Sequence, residues 1–216
     1  MARGQPWGSS YRRLTLLVAA AVGLSFVPAA PGASPDPRGM TLRLADVPAG
    51  FQVDAGTGYY SVRQDAAIGS GPPNAATLRR HGFIVSYRAY FQRPLTLAPE
   101  YPSTLQIVSI ATLYRTPAGA AWSISSDEAR LRSLGASAIT FKRRIADETR
   151  LYARIEQNSA TQTLWSLWLI WRDGRVRAAV VVSGLYTGAC CRLSARPAIA
   201  LALAQEALIR NARRTT

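Results

Sequence analysis

Two runs of alternating side chains, residues 163–172 and 175–183, flank Asp173-Gly174, and this arrangement constrains the fold more than any other feature of the chain. Asp-Gly tolerates the positive φ angles of a two-residue type I′ turn, so the segment reads as an antiparallel hairpin. Closing the turn on those two residues pairs Trp171 with Val176, Leu169 with Ala178, Leu167 with Val180 and Trp165 with Val182. Side chains alternate across a strand, so all eight share one face, and that face is core. The opposite face carries Trp168, Ile170, Arg172, Arg175 and Arg177. Placed opposite each other beside the turn, Arg172 and Arg175 repel unless carboxylates or a bound anion compensate them.

The rest of the chain supplies partners for the hairpin. Residues 83–92 alternate Phe83, Val85, Tyr87, Ala89 and Phe91 with more polar neighbours, and residues 104–114 are apolar on both faces, which predicts a strand covered on both sides. Residues 149–156 give one more strand. Asn74 caps a short helix that Gly82 ends, and Thr116-Pro117 opens a longer one that Gly135 stops. Trp122, Leu131 and Leu134 are its expected core residues. Ser194 is the expected cap of a terminal helix over residues 195–213, with Leu201, Ala204 and Leu208 on the sheet. Strands and helices segregate along the chain, so the expected class is α+β: an antiparallel sheet of about five strands with a C-terminal hairpin, covered by a central and a C-terminal helix.

The amino terminus reads as an address. Arg3, Arg12 and Arg13 precede an apolar run over residues 14–27, too short to span a bilayer at about 20 residues, and Val27-Pro28-Ala29 offers small residues for a signal peptidase. We expect a signal peptide over residues 1–29, a Pro/Gly-rich linker over 30–40 that holds no helix, and a single domain over 41–216. The chain is then secreted or extracytoplasmic, at the cell exterior or in a periplasm, with no membrane span after cleavage. Removing the three leader arginines from 26 basic residues leaves 23 against 12 acidic ones, a net charge of +11. That charge suits anionic surfaces or polymers, while the scatter of the arginines suits solvated faces. Export argues against a nucleic-acid partner. Cys190 and Cys191 are adjacent. Their Cα atoms lie about 3.8 Å apart, below the usual disulfide range of roughly 4.4–6.8 Å, so they read first as loop thiols, second as a strained vicinal disulfide and last as metal ligands, for which further ligands are lacking.

Three short motifs carry a family resemblance: Ala45-Asp46-Val47-Pro48-Ala49-Gly50-Phe51, Ala146-Asp147-Glu148-Thr149, and Trp171-Arg172-Asp173-Gly174-Arg175-Val176. Their order resembles a diffuse, largely uncharacterised group of secreted bacterial α+β domains, and more loosely the antiparallel sandwiches of secreted lipoproteins and extracellular sensor domains. The resemblance implies binding or signalling, with no established catalytic residues.

Motifs for chemistry are sparse. His81, the only histidine, stands at an expected helix end. The sequence has no Gly-x-Ser-x-Gly elbow, Ser-x-x-Lys pair, phosphate-cradling glycine loop or His-Glu-x-x-His motif. No cofactor, metal ligand set or catalytic residue is assigned. Asp147 and Glu148 read as a turn with charge pairing, their side chains sent to opposite faces by strand alternation. The functional expectation is a non-catalytic binding or sensing module whose anionic or aromatic ligand, or envelope component, meets Trp168, Arg172, Arg175 and Arg177. Alternatives are an extracytoplasmic hydrolase without a recognisable motif and a structural surface protein.

Overall fold

The computed structural model describes residues 34–68, 73–93, 103–157, 162–187 and 194–215. The expected leader, the first four linker residues (30–33) and the Cys190-Cys191 pair lie outside them. In chain order the elements are 3₁₀ turns at Pro37–Met40 and Leu44–Asp46, β1 (Gln52–Val53), β2 (Gly58–Tyr60), α1 (Val62–Ala67), α2 (Ala75–Arg80), β3 (Phe83–Gln92) and β4 (Ser103–Tyr114). Then follow α3 (Pro117–Ser133), β5 (Ser137–Ala138), β6 (Glu148–Gln157), β7 (Gln162–Asp173), β8 (Val176–Thr187) and α4 (Arg196–Arg214).

The sheet is open and antiparallel, in the order β1-β3-β4-β8-β7-β6-β5, with β2 also on the free edge of β3. The five long strands are the expected ones, but the sheet has eight. The three additions, β1, β2 and β5, are two or three residues long, too short to show a period, and they pair with otherwise bare backbone on β3 and β6. The hairpin is the centre of the sheet. Its strands lie between β4 and β6, so its second face is covered sheet and not a solvated edge.

The hairpin register differs from the expected one by two residues. Trp171 pairs with Ala178, Leu169 with Val180 and Leu167 with Val182, while Asp173 pairs with Val176, so the turn is Gly174-Arg175. Asp173 is held by Arg213 of α4, and the Gly174 N–H donates to Asp147 Oδ2 at 2.8 Å. Gly174 takes φ +56° at the first turn position, which hairpin turns of both primed types require. A slip of two preserves side-chain parity, and all eight expected residues remain on the core face. The arginines that oppose each other are therefore Arg172 and Arg177.

α4 and the amino-terminal segment cover that first face, where Met40, Leu42, Val47 and Phe51 join the core. Pro37–Met40 is thus a 3₁₀ turn capped by Asp36 with Met40 fully buried, so the ordered domain takes in residues expected to be linker. The buried stripe of α4 is Ala198, Leu201, Ala202, Gln205, Glu206 and Ile209; Ala204 is exposed and Leu208 only partly covered. Ser194 Oγ accepts from the Arg196 N–H at 3.3 Å, but Ala195 holds the cap position. The second face packs against α3, with α1 and α2 beside β3. Among the expected α3 residues, Leu131 is buried, Leu134 is exposed at the cap, and Trp122 turns aside to stack on His81, with ring centroids 3.7 Å apart.

Candidate functional site

Between α3 and the second face of the sheet lies a cavity of about 320 Å³, closed at one side by α1 and α2. The sheet register explains its floor. One row across the strands reads Ser86, Thr112, Arg177, Arg172; the next reads Arg88, Ile110, Ala179, Ile170; the third reads Tyr90, Val108, Val181, Trp168. A polar row therefore borders two mainly apolar ones. The roof is thin because the residues that α3 turns toward the sheet include Ser123, Ser126, Asp127 and Arg130, with Leu131 beside them.

Two guanidinium–carboxylate pairs join the floor to the covering helices, one to α1 and one to α3. Arg88 Nη2 lies 2.6 Å from Asp65 Oδ1 of α1, the two side chains 12% and 16% exposed. Arg177 donates from Nε and Nη2 to Asp127 Oδ2 of α3, at 2.9 and 2.5 Å. Charges so nearly buried are held only when paired, so each pair also fixes where its helix sits. Arg88 lies over the Tyr60 ring, 5.1 Å from its centroid, and its buried Nε has no hydrogen-bond partner among the described residues. Burial lowers the affinity of that guanidinium for its proton, but Asp65 outweighs it and the net shift is upward. Burial pushes the Tyr114 phenol up to about 12, so at neutral pH it stays protonated and does not act as a base.

The expected ligand residues separate here. Trp168 and Arg177 line the cavity. Arg172 turns to Asp147, 3.0 Å away, and Glu148, 3.9 Å away, while Arg175 Nη2 donates to Ser34 Oγ at 3.3 Å. The repulsion between Arg172 and Arg177 is thus offset by three carboxylates. Asp147 precedes β6, so strand alternation does not govern it, and both acidic neighbours reach Arg172 instead of diverging. Arg88, Asp65, Asp127 and Arg130 are the cavity residues that sequence reasoning passed over. A signal existed: Arg88 shares a strand face with Ser86 and Tyr90, and a neighbouring strand apolar on both sides announced that this face would be covered.

No protein-family model matches the chain, and no curated protein matches its sequence. Among solved structures, the extracellular domain of PknH from Mycobacterium tuberculosis is a weak structural neighbour, with a TM-score of 0.45 and 10% identity, covering 84% of this chain and 100% of that one. No helix among the described residues is long and apolar enough to cross a membrane.

Proposed function

We propose that the chain is an exported binding or sensing module whose ligand occupies the cavity between α3 and the sheet. The observation that carries this reading is the convergence of Trp168, Tyr90 and Tyr114 with Arg88 and Arg177 around one half-enclosed space. Indole and phenol supply flat apolar contact while guanidinium supplies directed donors, a combination suited to an anionic or aromatic small molecule. Export rests on the leader pattern of residues 1–29. Arg172 and Arg175 belong to this reading only as neighbours that hold the hairpin turn in place.

Protein beginning at Ala30 is to be screened by thermal shift against wall fragments, lipids and small anions. A ligand at 100 times its Kd adds about 2.7 kcal/mol of stability. The expected result is a hit whose shift disappears in Trp168→Ala. A confirmed ligand that binds Trp168→Ala as tightly as the parent refutes the site, and turnover of a substrate dependent on Asp147 or Glu148 refutes the non-catalytic reading.

A further inference from the structure

Resting on that reading, we infer that the ligand of this cavity is a monoanion with a compact apolar body, its charge met by Arg130 and its acceptor oxygen by the Nε–H of Arg88. Three guanidinium groups line the space, those of Arg88, Arg130 and Arg177, against two carboxylates, Asp65 and Asp127. The carboxylates are bound to Arg88 and Arg177. Arg130 makes no ion pair among the described residues, so the cavity wall carries one positive charge in excess. It follows Asp127 by three residues and therefore stands on the same face of α3, above the same space.

Each alternative ligand charge fits worse. A cation would add to the excess, a neutral molecule would leave it unmet, and a dianion would overshoot it within a half-enclosed, poorly solvated space where unpaired charge is costly. The second observation is the unpartnered donor. Arg88 Nε is buried with no hydrogen-bond acceptor among the described residues, on a guanidinium whose Nη2 is already committed to Asp65 and which also meets Tyr90. Buried donors are satisfied in the great majority of cases, and of the unpartnered ones among the described residues only Arg88 belongs to the lining of this cavity, where a ligand oxygen would complete it. The remaining wall is mixed, with Trp168, Ile110, Ile170 and Leu131 offering an apolar patch beside polar groups such as Thr112 and Ser126. A volume of about 320 Å³ lies at the lower end of small-molecule sites, roughly 300–1,000 Å³, so the body is a single ring or short branched chain.

The test keeps the body constant and changes the head group. Quenching of tryptophan fluorescence, with calorimetry as the second readout, is measured at pH 7.5 for 4-phenylbutyrate, 4-phenylbutanol, 4-phenylbutylamine and 4-phenylbutyl phosphate. Phenylbutyrate is expected to bind at least tenfold tighter than the other three. Arg130→Gln, at a partly exposed helix position, is expected to reduce phenylbutyrate to the level of the alcohol while leaving the alcohol unchanged. Val181→Phe, and Ser126→Phe as a second cavity-filling variant, should abolish binding of all four. If the alcohol matches the acid, or Arg130→Gln changes nothing, and the filling variants still abolish binding, the charge inference falls and the site stands. If nothing binds, or binding survives both filled cavities, the site falls with it.

Discussion

Trp171 and Trp165 stand six residues apart on β7, on the same face and in the same core, 0% and 5% exposed. Their indole N–H groups differ in fate. Trp171 Nε1 donates to Glu206 Oε2 of α4 at 2.8 Å, whereas Trp165 Nε1 is buried with no partner among the described residues. Replacement by phenylalanine removes a similar amount of apolar surface at both positions, so that loss largely cancels in the comparison. At Trp171 the change deletes a hydrogen bond to a charged group, worth about 1.5–3 kcal/mol, and leaves a buried carboxylate with Arg210 as its remaining side-chain partner. At Trp165 it removes a donor whose unpaired burial costs about 1–3 kcal/mol, which offsets the packing loss. Trp171→Phe should therefore be the more destabilising by about 2.5–6 kcal/mol, or roughly 5–24 °C in Tm for a domain of this size. Urea unfolding followed by circular dichroism, with unchanged m-values, measures the difference. Equal midpoints, or a greater loss in Trp165→Phe, would refute the reasoning. A double-mutant cycle with Glu206→Gln assigns the coupling to the pair.

Glu206 also makes stability depend on pH. Burial raises its pKa above 4.5, against the opposing pull of Trp171 and Arg210, so the folded state holds the proton to higher pH than the unfolded state does. Its favourable contribution is complete below the unfolded value and is lost as pH rises through the folded one; Glu206→Gln should flatten that part of the stability–pH curve, and parallel curves for parent and variant would count against it. Gly119→Ala should destabilise by about 1–3 kcal/mol although alanine is the better helix former, because its Cβ would land on the His81 carbonyl oxygen; an unchanged urea midpoint is the contrary result. Amino-terminal mass spectrometry of exported protein should find Ala30 first, and an intact Met1 in that material would reject cleavage after Ala29.

What was legible in the sequence is what local chemistry dictates. Thr116 Oγ1 accepts from the Gly119 N–H and Asn74 Oδ1 from the Thr77 N–H, as cap residues do, and Gly82 and Gly135 take φ +78° and +80° where they stop their helices. The hairpin faces were legible because parity survives a slip of two; the register was not, because Arg213 and Asp147 fix it from elsewhere in the chain. α4 shows the same boundary. A stripe sought among apolar residues selects Leu201, Ala204 and Leu208, whereas the buried one passes through Gln205 and Glu206. Gln205 accepts from Ser109 Oγ at 2.8 Å and donates to the Ile110 carbonyl at 2.8 Å, and Ser109 Oγ accepts from the Leu42 N–H. These polar groups belong in the core because their partners lie 95 and 96 residues away on β4, a fact that no window along the helix contains.

The cavity arises from an inequality between the two helical layers. On the first face, α4 and the amino-terminal segment present Met40, Phe51, Leu201 and Ile209 to Trp165, Leu167, Leu169 and Trp171, large side chains against large. On the second, α3 has 17 residues and only two large buried aliphatic side chains, Ile124 and Leu131; its other buried positions are Gly119, Ala120 and Ser123. Close-packed interiors leave few voids larger than a water molecule. A helix of small residues over two apolar rows would ordinarily settle onto the sheet, but here Arg88 and Arg177 rise from the floor and meet Asp65 and Asp127 at 2.6 and 2.5 Å. The Arg177–Asp127 pair acts as a strut that holds α3 at the length of an arginine side chain, while Arg88–Asp65 fixes α1 at the side of the cavity. Removal of the α3 strut by Asp127→Leu together with Arg177→Met should therefore not merely change stability, where replacing a buried pair with apolar residues is often neutral. It should let α3 descend and shrink the space, and the measurement that decides is quenching of Trp168 by acrylamide, which should fall in the double variant and stay at the parent level if the cavity owes nothing to the strut.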